Sequence, residues 1–143
     1  MSAESIKILL VEDNPGDVIL VHVAVQEVGT AQVKIERVKR LSEAMERVER
    51  YPFDVILLDM SLPDSQGFDT IARALEQAPD IPIVVLTAVD DEELALRAVG
   101  EGAQDYLIKG QVDEDQLLRS IRYAIERHKR TRAGEALQEG HTE

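Results

Sequence analysis

Phe53-Asp54-Val55-Ile56-Leu57-Leu58-Asp59 is the stretch whose reading decides the fold. Its four consecutive apolar residues are too few for a helix to bury. They read as a central strand covered on both faces, the pattern of a parallel sheet. The run then ends on a carboxylate. In open parallel sheets ligands bind beyond the carboxyl ends of the strands, so Asp59 stands where chemistry is expected. Alone, an aspartate in that place is also ordinary turn chemistry. What ends the other strands decides between the two.

The chain of 143 residues is long enough for one domain with a full core, and a hydrophobic content of 44 % points to a globular protein. No apolar run approaches the ~20 residues needed to cross a bilayer. The first residues lack the basic and apolar regions of a signal peptide. There is no cysteine, hence no disulfide, thiolate ligand or cysteine nucleophile. These features suit a cytoplasmic protein. The net charge of −12 argues against nucleic acid or an anionic membrane as a direct partner, and leaves carboxylates free for a cation.

Working outward, residues 6–11 form a first strand, broken in its apolar run only by Lys7 and followed by Glu12 and Asp13. Asn14 caps a helix with Pro15 at its first position. Val18, Val21, Val25 and Val28 give that helix one apolar face, and Gly29 stops it. Residues 33–38 alternate apolar with charged and read as a less buried strand near the sheet edge. Ser42 is expected to cap a second helix running to about Arg50, with Ala44, Met45 and Val48 inward. After the opening stretch, residues 62–67 are a loop by composition. Phe68, Ile71, Ala72 and Leu75 mark a third helix closed by Pro79. Residues 81–86 are a fourth strand ending on Thr87. Acids at 90–93 suit the start of a fourth helix, which closes near Gly100 or Gly102. Residues 105–108 are a short fifth strand ending on Lys109. Asp113 opens a fifth helix with Leu117, Ile121, Ala124, Ile125 and His128 on one face. Strand and helix alternate five times, which predicts an α/β fold: a doubly wound, five-stranded parallel sheet with right-handed crossovers.

In such a sheet the strand ends emerge on one edge. Four of them bring together Glu12 and Asp13, then Asp59, Thr87 and Lys109. Carboxylates crowded into one cleft repel unless they share a cation, and hard oxygen ligands suit Mg²⁺. A lysine across the cleft holds a further anionic oxygen as a point charge, and a threonine hydroxyl donates to one. A carboxylate between a cation and a lysine is a plausible nucleophile toward phosphorus, giving an aspartyl phosphate.

The sequence resembles the receiver domain of two-component response regulators (CheY-like). The residues that carry the resemblance are Ile8-Leu9-Leu10-Val11-Glu12-Asp13-Asn14, then residues 55–59 with Leu62-Pro63-Asp64 and Gly67, then Val84-Val85-Leu86-Thr87-Ala88, then Gly102-Ala103-Gln104-Asp105-Tyr106-Leu107-Ile108-Lys109. They span residues 6 to about 128. The resemblance implies a flavodoxin-like sheet in the order 2-1-3-4-5. It implies Asp59 as phosphoacceptor, Glu12 and Asp13 as the acidic pocket, and Mg²⁺ held by these three and the Ser61 backbone carbonyl. It makes Thr87 the switch hydroxyl, Tyr106 the aromatic switch residue and Lys109 the phosphate-pairing lysine. The family usually follows this lysine with proline, often through a cis peptide. Here Gly110 takes that place, without the proline that makes cis accessible.

The implied function is phosphoryl transfer to Asp59 from a sensor histidine kinase or phosphotransfer protein, followed by a change of protein-interaction surface. The chain is then no enzyme beyond its own phosphorylation and dephosphorylation. A hydrolase of haloacid dehalogenase type is the alternative. Those enzymes usually carry a second aspartate two residues after the nucleophile, and here that position is Ser61. His22, His128 and His141 have no activating neighbours in the sequence and read as structural or solvated. Residues 1–130 are expected to be the receiver and 131–143 a tail or the start of a linker. The partners expected are a downstream protein or attached output domain, with a second copy of the chain as a further possibility. The charged run 126–132 extends the last helix pattern, and fraying is expected beyond Gly134.

Overall fold

The computed structural model describes residues 5–26 and 32–141. Along the chain lie β1 (Ser5–Val11), α1 (Pro15–Gln26), β2 (Gln32–Val38), α2 (Leu41–Arg50), β3 (Val55–Leu58), β4 (Ser61–Leu62), β5 (Ser65–Gln66), α3 (Phe68–Gln77), β6 (Ile83–Thr87), α4 (Glu92–Glu101), β7 (Asp105–Ile108) and α5 (Glu114–His141). Five strands form one parallel sheet in the order β2-β1-β3-β6-β7, which is 2-1-3-4-5 when the sheet strands alone are counted. The stretch that opened the sequence reading is the middle strand. Val55 to Leu58 are all fully buried, as a strand covered on both faces requires. β2 lies at the edge, as its alternation predicts.

Side chains alternate across this sheet and feed two cores. Ile8, Leu10, Val55, Leu57, Val84 and Leu86 face α1 and α5, meeting Val21, Val25, Leu117 and Ile121. Leu9, Val11, Ile56, Leu58 and Val85 face the other way, against Leu41, Met45, Ile71, Ala74 and Ala98 of α2, α3 and α4. α1 is apolar on every side: Val21 and Val25 are buried, while Ile19, Leu20 and Val23 are exposed. Val28 and Gly29, expected at its end, fall outside the described residues.

Several expectations shift for physical reasons. Asn14 does cap α1, its Oδ1 accepting from the Gly16 and Asp17 amides at 2.8 and 3.4 Å. Ser42 does not cap α2. That helix begins at Leu41, with Arg40 in the cap position and no side-chain cap of its own. The carboxylate of Asp64, 23 residues further on, takes the Leu41 and Ser42 amides instead, each at 2.9 Å. The loop 62–67 contains a small ribbon, β4 paired antiparallel with β5, before Gly67 opens α3. β6 starts at Ile83, after Pro82, which has no N–H to give to a ladder. Ala74, and not the half-buried Ala72, shares the inward face of α3 with Ile71. Asp113 and Gln116 cap α5 reciprocally, at 2.7 and 2.9 Å. α5 continues as one helix past Gly134 to His141.

Candidate functional site

The sheet ladder carries the acidic residues into place. Beyond β1, the Glu12 amide still donates to Val38 O at 3.0 Å; beyond β3, the Asp59 amide donates to Val11 O at 3.1 Å. Two carboxylates are thus set by main chain as firmly as strand residues. Glu12 is 2 % exposed and Asp59 5 %, whereas Asp13 is open to solvent. One oxygen from each of the three lies within 4.8 Å of the others. With Asp17, Ser61 and Lys109 they line an open cleft of about 450 Å³.

Lys109 reaches this cleft from the end of β7. Its amide is tied to Thr87 O at 2.8 Å. Its Nζ donates to Glu12 Oε2 at 2.5 Å, to Asp17 Oδ2 at 2.8 Å and to Asp59 Oδ2 at 3.0 Å. Burial would lower the pKa of this ammonium, but the bonds to Asp17, Glu12 and Asp59 outweigh it and hold it above its ordinary value. Burial pushes the Glu12 carboxyl up to about 7, against the lowering pull of Lys109 and of the Asn14 amide, which donates at 3.0 Å. Arg37 of β2 braces the acidic turn from behind. Its Nε donates to Glu12 O at 2.9 Å and its Nη2 to Asp13 O at 3.1 Å. The Ser61 amide donates to Asp59 Oδ1 at 3.2 Å, so both Asp59 oxygens accept a bond.

Three carboxylates, two of them buried, converge on one lysine. The charge excess and the all-oxygen donors fit a hard divalent cation. The Lys109–Gly110 bond is trans, as is every peptide bond of the described residues. Gly110 turns the chain at φ 86°, a region that disfavours side chains.

The Thr87 and Tyr106 hydroxyls bond not to the carboxylates but to the two sides of one residue. Thr87 is fully buried at the end of β6, and its Oγ1 accepts the Val89 amide at 3.3 Å. The Tyr106 hydroxyl donates to Val89 O at 2.7 Å. Burial, then the charges of Asp91 and Asp90, push this hydroxyl's pKa up. A single residue, Val89, therefore connects the threonine to the tyrosine. His22 is solvated, and His128 bonds through Nε2 to Asp80 O at 2.7 Å, away from the cleft. The side chain of His141 lies outside the described ones. Sequence reasoning missed Asp17, Arg37 and Val89. Asp17 had a weak signal, an acid one helical turn beyond Asp13.

A match to the response regulator receiver domain family covers residues 8–122, most of the chain, and the chain belongs to that family. The class is thus a phosphorelay signalling domain. The chain is 41 % identical over 83 residues to the regulatory protein LuxO of Vibrio cholerae, covering 58 % of this chain and 18 % of that protein. The signal receiver domain of a LuxO repressor protein from Vibrio parahaemolyticus matches at TM-score 0.77 and 27 % identity, over 92 % of this chain and 98 % of that one. The beryllofluoride-activated NtrC4 receiver domain dimer matches at TM-score 0.71 and 29 % identity, over 85 % and 98 %. The chain spans only 18 % to 27 % of the length of the first curated relatives it matches.

Proposed function

We propose that Asp59 is the phosphoacceptor, taking a phosphoryl group from the phosphohistidine of a sensor kinase or phosphotransfer protein. The observation that carries this is the Asp59 carboxylate, buried at a strand end, with Lys109 Nζ on one oxygen and the Ser61 amide on the other. An Asp59 oxygen attacks phosphorus as the donor P–N bond breaks, and the imidazole leaves with that electron pair. Lys109 holds negative charge as it shifts toward the transferred oxygens. Glu12, Asp13, Asp59 and the Ser61 backbone carbonyl are the groups that would hold Mg²⁺, which when bound neutralises charge on the phosphoryl oxygens.

Thr87 is the switch hydroxyl in this reading. When Thr87 turns to a phosphoryl oxygen, the Val89 amide loses its acceptor and the loop carrying Val89 shifts. Tyr106 is tethered to that loop and follows it. The result is a population shift on the surface of α4 and β7, driven by the differential contact of Thr87 with phosphate. The chain then catalyses only its own phosphorylation and dephosphorylation. The hydrolase alternative has no support in this site, where Ser61 stands in place of the second aspartate.

We read residues 1–130 as the receiver and 131–143 as a tail or linker. The partners are a sensor kinase or phosphotransfer protein and a downstream protein or attached output domain. A cytoplasmic location goes with these partners, and no described helix is long and apolar enough to cross a membrane. Weak, phosphorylation-sensitive self-association through α4 and α5 is part of this reading, supported by the NtrC4 receiver being a dimer when activated.

The test is Asp59→Asn treated with acetyl phosphate and Mg²⁺. Wild type gains one phosphoryl mass and Asp59→Asn gains none. A full, acid-stable label on Asp59→Asn by intact mass overturns the assignment.

A further inference from the structure

We propose that Asp17 is a positioning residue for Lys109, a fourth carboxylate that competes with the phosphoryl group for the lysine and holds the domain back from its phosphorylated state. The inference rests on Asp59 being the phosphoacceptor.

An ammonium has three N–H donors. In this structure all three are taken, by Glu12, Asp17 and Asp59. A phosphoryl oxygen on Asp59 finds no spare donor on Lys109, so one of the three must yield. Glu12 is the poorest candidate, being buried with its other oxygen fixed by the Asn14 amide. Asp59 carries the phosphoryl group itself. Asp17 is the group able to let go. Its side chain is 30 % exposed, and among the described residues Lys109 is the one partner of its carboxylate. Water at the cleft mouth replaces that bond at small penalty. Asp17 also stands on α1 and not at a strand end, so its release disturbs no sheet hydrogen bond.

The first turn of a helix is a favourable place for any acid. That ordinary role predicts a loss of stability on neutralising Asp17 and nothing more. Competition for Lys109 predicts two further effects. Neutralising Asp17 frees a lysine donor, so a phosphoryl mimic binds more tightly. The freed donor also loses its protection from solvent in the unliganded protein.

The experiment compares the full chain with Asp17→Asn and Asp17→Ala. Beryllofluoride is titrated at saturating Mg²⁺ and followed by amide NMR, and hydrogen exchange of the Lys109 ammonium is read by ¹⁵N NMR without beryllofluoride. We expect both variants to bind beryllofluoride about fivefold more tightly, the scale of one partly exposed ion pair. The Lys109 protons exchange severalfold faster in both. Unchanged or weaker binding overturns the proposal. Tighter binding with unchanged exchange also overturns it, because Asp17 then acts by its bare charge and not through the lysine. Failure of wild type to bind beryllofluoride removes the phosphoacceptor reading and this proposal with it. Wild-type binding that the variants leave unmoved removes this proposal alone.

Discussion

Asp64→Ala is expected to destabilise the domain by about 2 kcal/mol, although Asp64 is exposed and belongs to a surface ribbon. Its carboxylate receives two amides of the first turn of α2 at 2.9 Å each. Burial would raise its pKa, but the Ser42 and Leu41 amides and the Ser42 hydroxyl outweigh that and hold it below the ordinary 3.8. A helix cap is worth ~1 kcal/mol, and a bond to a charged acceptor ~1.5 kcal/mol or more before solvent screening. Two such bonds, discounted for exposure, give the stated 2 kcal/mol. For a domain of this size that is a Tm loss of roughly 6 °C. The folded pKa lies below the unfolded one, so the contribution is present above pH ~4 and is lost as pH falls through the folded value. Thermal melts of wild type, Asp64→Ala and Ser42→Ala at pH 7 and near pH 3 provide the assay. Ser42→Ala should change stability by less than ~0.5 kcal/mol, since its hydroxyl meets only the exposed Asp64 carboxylate and caps no helix amide. A Tm loss in Ser42→Ala equal to that in Asp64→Ala, or a loss in Asp64→Ala that does not shrink in acid, refutes the reasoning.

Glu12 works in the opposite sense. Its folded pKa, about 7, lies above the unfolded 4.5, so its contribution is full below about pH 4.5 and gone as pH rises through 7. Metal-free protein should therefore lose stability over that window by denaturant titration, and Glu12→Gln should flatten the slope. Asp13→Asn should lower Mg²⁺ affinity at least about tenfold by calorimetry, and an unchanged affinity removes Asp13 from the site. Gly102→Ala should cost ~1–2 kcal/mol, because Gly102 sits at φ 130° and a new Cβ would lie 3.3 Å from Leu75 Cδ2. Sedimentation of the full chain and of a version ending at His128, each with and without beryllofluoride, tests self-association. Four monomers at high concentration refute it.

What was legible in the sequence was whatever local pattern controls. Val55 to Leu58 could be read as a covered strand because nothing but a two-faced core accepts four apolar residues there. The carboxyl-edge residues could be read because parallel topology alone places all strand ends together. Asp64 could not be assigned to α2, since a carboxylate 23 residues away outcompeted the local Ser42, and sequence spacing carries no trace of that contact. Asp17 was hidden for the same reason, lying 92 residues from Lys109. Arg37 looked like an outward charge of an edge strand. Its two bonds to the Glu12 and Asp13 carbonyls exist only once β1 and β2 are paired.

α5 has 28 residues, hence a length of about 42 Å, and the family match stops at residue 122 within it. The Arg127 guanidinium donates to both the side-chain and the main-chain oxygen of Gln104, and His128 bonds to Asp80 O, so the rod is clamped to the loops beneath the sheet at that level. A clamped helix has a fixed phase. Each residue turns it by about 100°, so whatever joins its far end inherits an azimuth set by residues 127 and 128. One residue inserted after Arg130 would swing that attachment about a quarter turn around the axis, while seven would nearly restore it. If an output domain is joined there, its signal is expected to respond to the spacing with the helical period and not with length alone.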